Sequence, residues 1–423
     1  MSQHVANLWE RIWGPFPAQE PMLQRVHAFC RAEEANDLQS PVASKFEDIR
    51  HFDVAGMERA AAICVCGRSG SYLLASYLDG HNNVVMLPTF RANRIYEFFE
   101  HYRSLSLHDK LIAYAVLMDF FEGEFSIAAA DYYAAVKALF DVYGKWSPEF
   151  LESRRTFFQL LHVVYCVALG RRPASPHPLI VYQFHDWNDQ LARRFVEDFP
   201  KARFIHTVRD PITSISRGFD AWWDGKGVLI ARHVIRQQTK ADRPHPGMET
   251  RTRAIRFEDL HLHLEKIMRA VADWLGLPYR SSLLDSTFNG VPWVVERGTI
   301  SWSGARPEQA VRDSRNISST DKGLLFAVLN DDFVAWNYPC PNIFKHALIR
   351  VLTCIVVLPI PMKMEIITVR RLMKGLPSLR CGGFRYAING LVQIINCRAA
   401  IMLFLAMDLC RRLAFRKKVL ELL

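Results

Sequence analysis

Two short segments carry residue types able to hold an anion. Gly67-Arg68-Ser69-Gly70-Ser71 closes the apolar run of residues 60–66 and opens a helical pattern over 72–78. Where a strand hands over to a helix, the free amides of the first turn and the positive end of the helix dipole converge, which favours a phosphate. Glycines at 67 and 70 let the backbone curl around such a group, with Ser71 supplying a hydroxyl and Arg68 a cation. The second segment, Val208-Arg209-Asp210-Pro211-Ile212-Thr213-Ser214-Ile215-Ser216, also follows an apolar run. Pro211 suits a first helical position, and a phosphate there would meet the Arg209 guanidinium together with a hydroxyl of Ser214 or Ser216. Taken singly, each segment also fits a plain turn or an Arg-Asp pair at a helix start. The lysine of a Walker A loop is absent, because Gly70 is followed by Ser71 and Tyr72. A P-loop kinase or triphosphatase working through that lysine and magnesium is disfavoured.

These segments need a scaffold of strands ending in loops. The unbroken apolar run 60–66 predicts a strand buried on both faces, and 179–184, 203–208 and 253–257 predict three more. Helical patterns over 188–199, after Pro211 and over 260–275 alternate with them. The expected fold is therefore α/β, a three-layer sandwich with a parallel sheet. Residues 91–170, rich in Ala, Leu, Phe and Tyr at three-to-four spacing, predict a helical insertion. Residues 1–58 are expected to form an N-terminal arm or cap, 59–341 the main domain, and 342–423 a basic, apolar tail.

Together the two segments resemble the PAPS-dependent sulfotransferase family, PAPS being 3′-phosphoadenosine 5′-phosphosulfate. Glu197-Asp198-Phe199-Pro200-Lys201-Ala202-Arg203-Phe204-Ile205 and Arg256-Phe257-Glu258-Asp259-Leu260 add to the likeness, which spans roughly residues 60–338. The resemblance implies a P-loop-like nucleotide fold with PAPS as donor and no metal. It implies Arg68 beside the transferring group, and Ser69, Gly70, Ser71 and Tyr72 lining the 5′-phosphosulfate loop. Arg209 matches the arginine that holds the 3′-phosphate. Its serine partner is open, because the family usually places it where this chain has Arg217, leaving Ser216 and Ser214 as candidates. His185, directly after the strand 179–184, stands where many members keep the base that takes the acceptor's proton, with Asp186 as the adjacent rival. Arg306, in Ser303-Gly304-Ala305-Arg306, is a candidate for a late loop over the nucleotide, and His206 reads as a buried strand residue. The implied reaction is sulfuryl transfer to a hydroxyl, or less readily an amine, of a carbohydrate or lipid. A non-catalytic, membrane-associated nucleotide-binding protein is the alternative from another class.

Composition and charge bound these readings. The chain has 423 residues, 50% hydrophobic and 23% charged, which suits a large globular core. Its net charge of +10 resides in residues 342–423, where 14 basic residues face 3 acidic ones, leaving 39 against 40 elsewhere. A neutral body argues against nucleic acid as a partner. Nine cysteines, an odd number without a close framework, fit reduced thiols in the cytoplasm, and Cys64 and Cys66 lack a second pair at zinc spacing. The start of the chain carries no uninterrupted apolar run of a secretory signal. The apolar runs of the tail are shorter than the about 20 residues that span a bilayer. Arg411-Arg412-Leu413-Ala414-Phe415-Arg416-Lys417-Lys418 instead suits peripheral attachment to an anionic membrane surface.

Overall fold

The computed structural model describes residues 14–36, 42–64, 69–88, 94–143, 146–184, 189–221, 247–297 and 300–357. Beyond these it describes 359–363, 365–367, 370, 392, 395, 399, 402–403, 406–407, 409–413 and 421–423. Its centre is a mostly parallel five-stranded sheet with helices around it, an α/β fold. The strands are β1 (Ala60–Cys64), β2 (Val84–Met86), β3 (Leu179–Phe184), β4 (Arg203–Val208) and β5 (Thr252–Arg256), in the order β2-β3-β1-β4-β5. Every residue of β1 and β3 is buried, as expected of strands covered on both faces. The three-residue β2 was not anticipated; it pairs in parallel with β3, Val84 opposite Leu179.

The chain forms two compact units, the first of residues 1–63, 72–204 and 268–304, the second of 64–71, 205–267 and 305–423. In the first, the expected helical insertion comprises Ile95–His101, Leu107–Leu117, Ala129–Tyr143, Pro148–Leu151 and Arg154–Ala168. Its core is aromatic: the Phe98 ring meets Tyr114 edge-on at 5.0 Å and stacks on Phe157 at 5.8 Å. At the end of the Ser71–Asp79 helix, the buried Asp79 carboxylate accepts two bonds from Arg171 and one each from Thr287 Oγ1 and Gly290 N, all at 3.0 Å. Four donors compensate the burial of that charge.

The second unit is cored by Trp336, Phe333, Leu325, Leu329, Ile212 and Ile215, among others. Part of the tail belongs to this core. In the Ala347–Val357 helix, Arg350 and Cys354 are buried, and Arg350 donates to Ala327 O at 2.7 Å and pairs with Asp331 at 3.2 Å. Arg412 pairs with Asp332 at 3.1 Å, both side chains almost wholly buried. The last residues return to β5, where Ala254 N donates to Glu421 O at 2.7 Å and Leu423 N to Ala254 O at 3.0 Å. Among the described residues no helix is long and apolar enough to cross a membrane.

Candidate functional site

The described parts of the two segments expected from the sequence to hold an anion, apart from Tyr72, lie in the second unit. After β1, Ser69 and Gly70 form the loop that leads into the Ser71–Asp79 helix. Ser69 Oγ hydrogen-bonds Thr207 Oγ1 of β4 at 2.7 Å, with both residues buried. Gly70 has φ +87°, and a Cβ there would run into the Phe257 ring. Only glycine meets both the left-handed backbone and that close approach. Ser71 is buried at the helix start.

Arg209 leaves β4 at its end and lies over the Phe257 ring, its Cζ 3.9 Å from the centroid. It also donates through Nη2 to Gln309 O at 3.3 Å. Phe257 thus carries Gly70 of the first segment and Arg209 of the second. The neighbouring acid is occupied elsewhere: Asp210 Oδ1 accepts from Thr213 N at 2.8 Å and from Thr213 Oγ1 at 3.0 Å, which caps the Pro211–Ala221 helix. Its Oδ2 accepts from Arg312, through Nε at 2.9 Å and through Nη2.

Ser214 and Ser216 are both fully buried on that helix. Ser214 N donates to Asp210 O at 2.8 Å. Ser216 Oγ accepts from Asn316 N at 3.3 Å, and Asn316 Nδ2 donates to Ser216 O at 3.1 Å. Arg217, at the usual serine position, pairs with Asp313 at 2.8 Å. Burial pushes the Asp313 carboxyl up, but bonds from Arg315 and the charge of Arg217 hold it below the usual carboxylate range.

Behind Arg209 stands the helix Phe257–Leu262. Glu258 Oε1 accepts from Asp210 N at 3.2 Å and Oε2 from the Tyr338 hydroxyl at 2.6 Å. Burial pushes its carboxyl up, against those two bonds and the charge of Arg209. His261 meets Phe257 edge-on at 4.4 Å and accepts Arg306 N–H on Nδ1 at 2.8 Å. Burial, and secondarily the charge of Arg209, lower its pKa to about 4. Arg306 itself precedes the short turn Pro307–Ala310, which packs on the Phe257–Leu262 helix.

Tyr72 lies in the first unit, its ring 6.5 Å from Trp293 and nearly parallel to it. His206 is buried in β4. Arg68, His185 and Asp186 lie outside the described residues. Sequence reasoning missed Phe257 as the shared support, His261 behind it, and Arg312 and Asp313 as the partners of Asp210 and Arg217. Phe257 had a signal, since it stands in a motif at the end of a strand; Arg312 and Asp313 had none, because their partners lie far away in the chain.

The Sulfotransferase family model matches residues 61–281, just over half of the chain. Among solved structures, the chain is similar to a sulfotransferase domain from the Synechococcus PCC 7002 olefin synthase, at 19% identity and TM-score 0.32, over 54% of this chain and 76% of that one. It is similar to sulfotransferase STF9 from Mycobacterium avium, at 14% identity and TM-score 0.32, over 66% and 79% respectively. A sulfotransferase domain from the curacin biosynthetic pathway matches at 16% identity and TM-score 0.32, over 68% and 95%. No curated protein matches the chain.

Proposed function

The chain belongs to the sulfotransferase family, and from that premise we propose that it moves a sulfuryl group from PAPS to a hydroxyl of a carbohydrate or lipid acceptor. The observation that carries this reading is the Phe257 ring, against which Gly70 and Arg209 both lie. One aromatic residue thereby holds together a glycine loop suited to the 5′-phosphosulfate and an arginine suited to the 3′-phosphate.

In the proposed reaction the acceptor oxygen bonds to sulfur while the bond from sulfur to the 5′-phosphate oxygen breaks. The acceptor's proton passes to His185, and adenosine 3′,5′-bisphosphate leaves. Arg68 stabilises the charge gathering on the departing phosphate, with Ser69, Gly70, Ser71 and Tyr72 around it. Arg209 holds the 3′-phosphate with Ser214 or Ser216; Ser216 accepts from Asn316 and keeps its own proton to donate. No metal takes part in this scheme.

Incubation with sulfur-labelled PAPS and a panel of glycans, lipids and phenols tests the reading. Labelled product is expected with a hydroxylated acceptor, and turnover should fall about 10²–10⁴-fold in His185→Ala with donor affinity kept. Arg68→Ala should lose both turnover and donor affinity. Loss of turnover in Asp186→Ala alone would move the base to Asp186. Nucleotide binding with no product from any acceptor would favour the non-catalytic alternative.

We further propose that the tail rests on an anionic membrane surface. Opposite the buried Arg350 and Cys354, the Ala347–Val357 helix exposes Leu348, Leu352, Ile355 and Val356. The net charge of +11 over residues 342–423 makes anionic lipid the fitting occupant of that face. Truncation would uncover the Trp336 core, so the test is Leu352→Glu with Ile355→Glu. That variant should lose sedimentation with anionic liposomes, and wild type left in the supernatant would overturn the idea.

A further inference from the structure

His261 has an unusual combination of burial and hydrogen bonding. Its Nδ1 accepts the Arg306 backbone N–H, so the neutral ring carries its proton on Nε2. That Nε2 is buried and has no hydrogen-bond partner among the described residues, with His261 only 6% exposed. A buried donor left unsatisfied is costly, and buried polar groups are nearly always paired. Among the described residues an acceptor is what the position lacks.

Its surroundings specify the kind of acceptor. Phe257 bears Arg209 on its face and meets His261 edge-on, and the Arg209 charge reaches the imidazole. A positive neighbour disfavours a second cation but favours an anion bound by both groups. Arg209 donates at 3.3 Å to O of Gln309, a residue of the turn that follows Arg306, whose N–H lies on Nδ1. An entering phosphate oxygen can take over the place of that carbonyl if the turn gives way.

We propose that His261 is a binding residue for the phosphate monoester that Arg209 receives, donating Nε2–H to it as a neutral hydrogen-bond donor. The inference rests on the reading of Arg209 as the 3′-phosphate arginine and adds a second protein donor to that subsite. The turn Pro307–Ala310 then senses the phosphate through both groups, since Arg306 just before it touches His261 and Gln309 within it touches Arg209.

The test uses the full chain, adenosine 3′,5′-bisphosphate and adenosine 5′-monophosphate, with affinities measured by calorimetry. His261→Asn keeps an acceptor near the Nδ1 position and removes the Nε2 donor; His261→Gln does the reverse. Wild type should prefer the bisphosphate. The Asn variant should lose about tenfold of that preference and the Gln variant little, with monophosphate affinity unchanged in both. Preference in wild type that survives His261→Asn would overturn this inference and leave the reading of Arg209 standing. Equal loss of both nucleotides in both variants would make His261 a structural support only. Absence of preference in wild type would overturn the reading and the inference together.

Discussion

Arg209 and Arg412 are buried to nearly the same degree in the same compact unit, 6% and 5% exposed, yet they are held in different ways. Arg412 is matched by Asp332 at 3.1 Å inside the core. Arg209 lies on an aromatic face and a backbone carbonyl, while the carboxylate next to it in sequence, Asp210, is engaged by Arg312 and Thr213. The field of Arg209 consequently reaches its neighbours, lowering His261 and favouring the anion of Glu258. Removing one member of a buried guanidinium–carboxylate pair strands a charge in the core, whereas the Arg209 guanidinium, over a ring and a backbone carbonyl, is the one proposed above for a phosphate.

The comparison can be broken most severely in the tail. Asp332→Ala leaves Arg412 charged in the core and should cost about 3–5 kcal/mol, read as a lowered denaturation midpoint. Adding Arg412→Met should recover much of that loss, because the stranded charge is gone. A single variant as stable as wild type would mean that this pair does not anchor the tail.

At the other arginine the effect should move from stability to affinity. Arg209→Ala should weaken adenosine 3′,5′-bisphosphate by about 1.5–3 kcal/mol, roughly tenfold to a hundredfold, and leave adenosine 5′-monophosphate nearly unchanged. A fall in melting temperature as large as that of Asp332→Ala, with both nucleotides bound as before, would put the two arginines in one structural class.

A further effect concerns pH and is read as a slope rather than a midpoint. Burial lowers His162, and burial with the Arg209 charge lowers His261, each to about 4. Both are bases with a folded pKa below the ordinary value of about 6.5, so between those limits the unfolded chain binds more protons. Stability should therefore rise with pH from about 4 to 6.5 and gain nothing further from these groups above it. Melting curves across that window should show the slope, and His162→Gln should flatten it. Arg209→Gln should flatten it slightly through His261, and an unchanged slope in both variants would remove the histidines from the account.

Much of the scaffold was legible because its signals are local. Residues 60–64, 179–184 and 203–208 read as strands from continuous apolar runs, and the ends of two of them could be recognised by Gly70 and Pro211. Val84–Met86 escaped because the four apolar residues between Asn83 and Pro88 make no periodic pattern; the pairing of the first three with Leu179–Val181 identifies them as a strand. Ser216 and Arg217 could be proposed or doubted only by spacing, whereas Asn316 and Asp313, about 100 residues further on, are what engage them.

The sequence alone determined where backbone anion sites could form, because glycine, proline and the strand-to-helix change act within a few residues. It also determined that the positive charge gathers in the tail, since charge needs only counting. Tertiary structure alone decided that Arg412 meets a buried carboxylate and that Phe257 underlies both Gly70 and Arg209. It decided as well that part of the tail is core, with Arg412 reaching back 80 residues to Asp332. Burial and charge pairing depend on neighbours brought together by the fold, and sequence spacing carries no information on which neighbours those are.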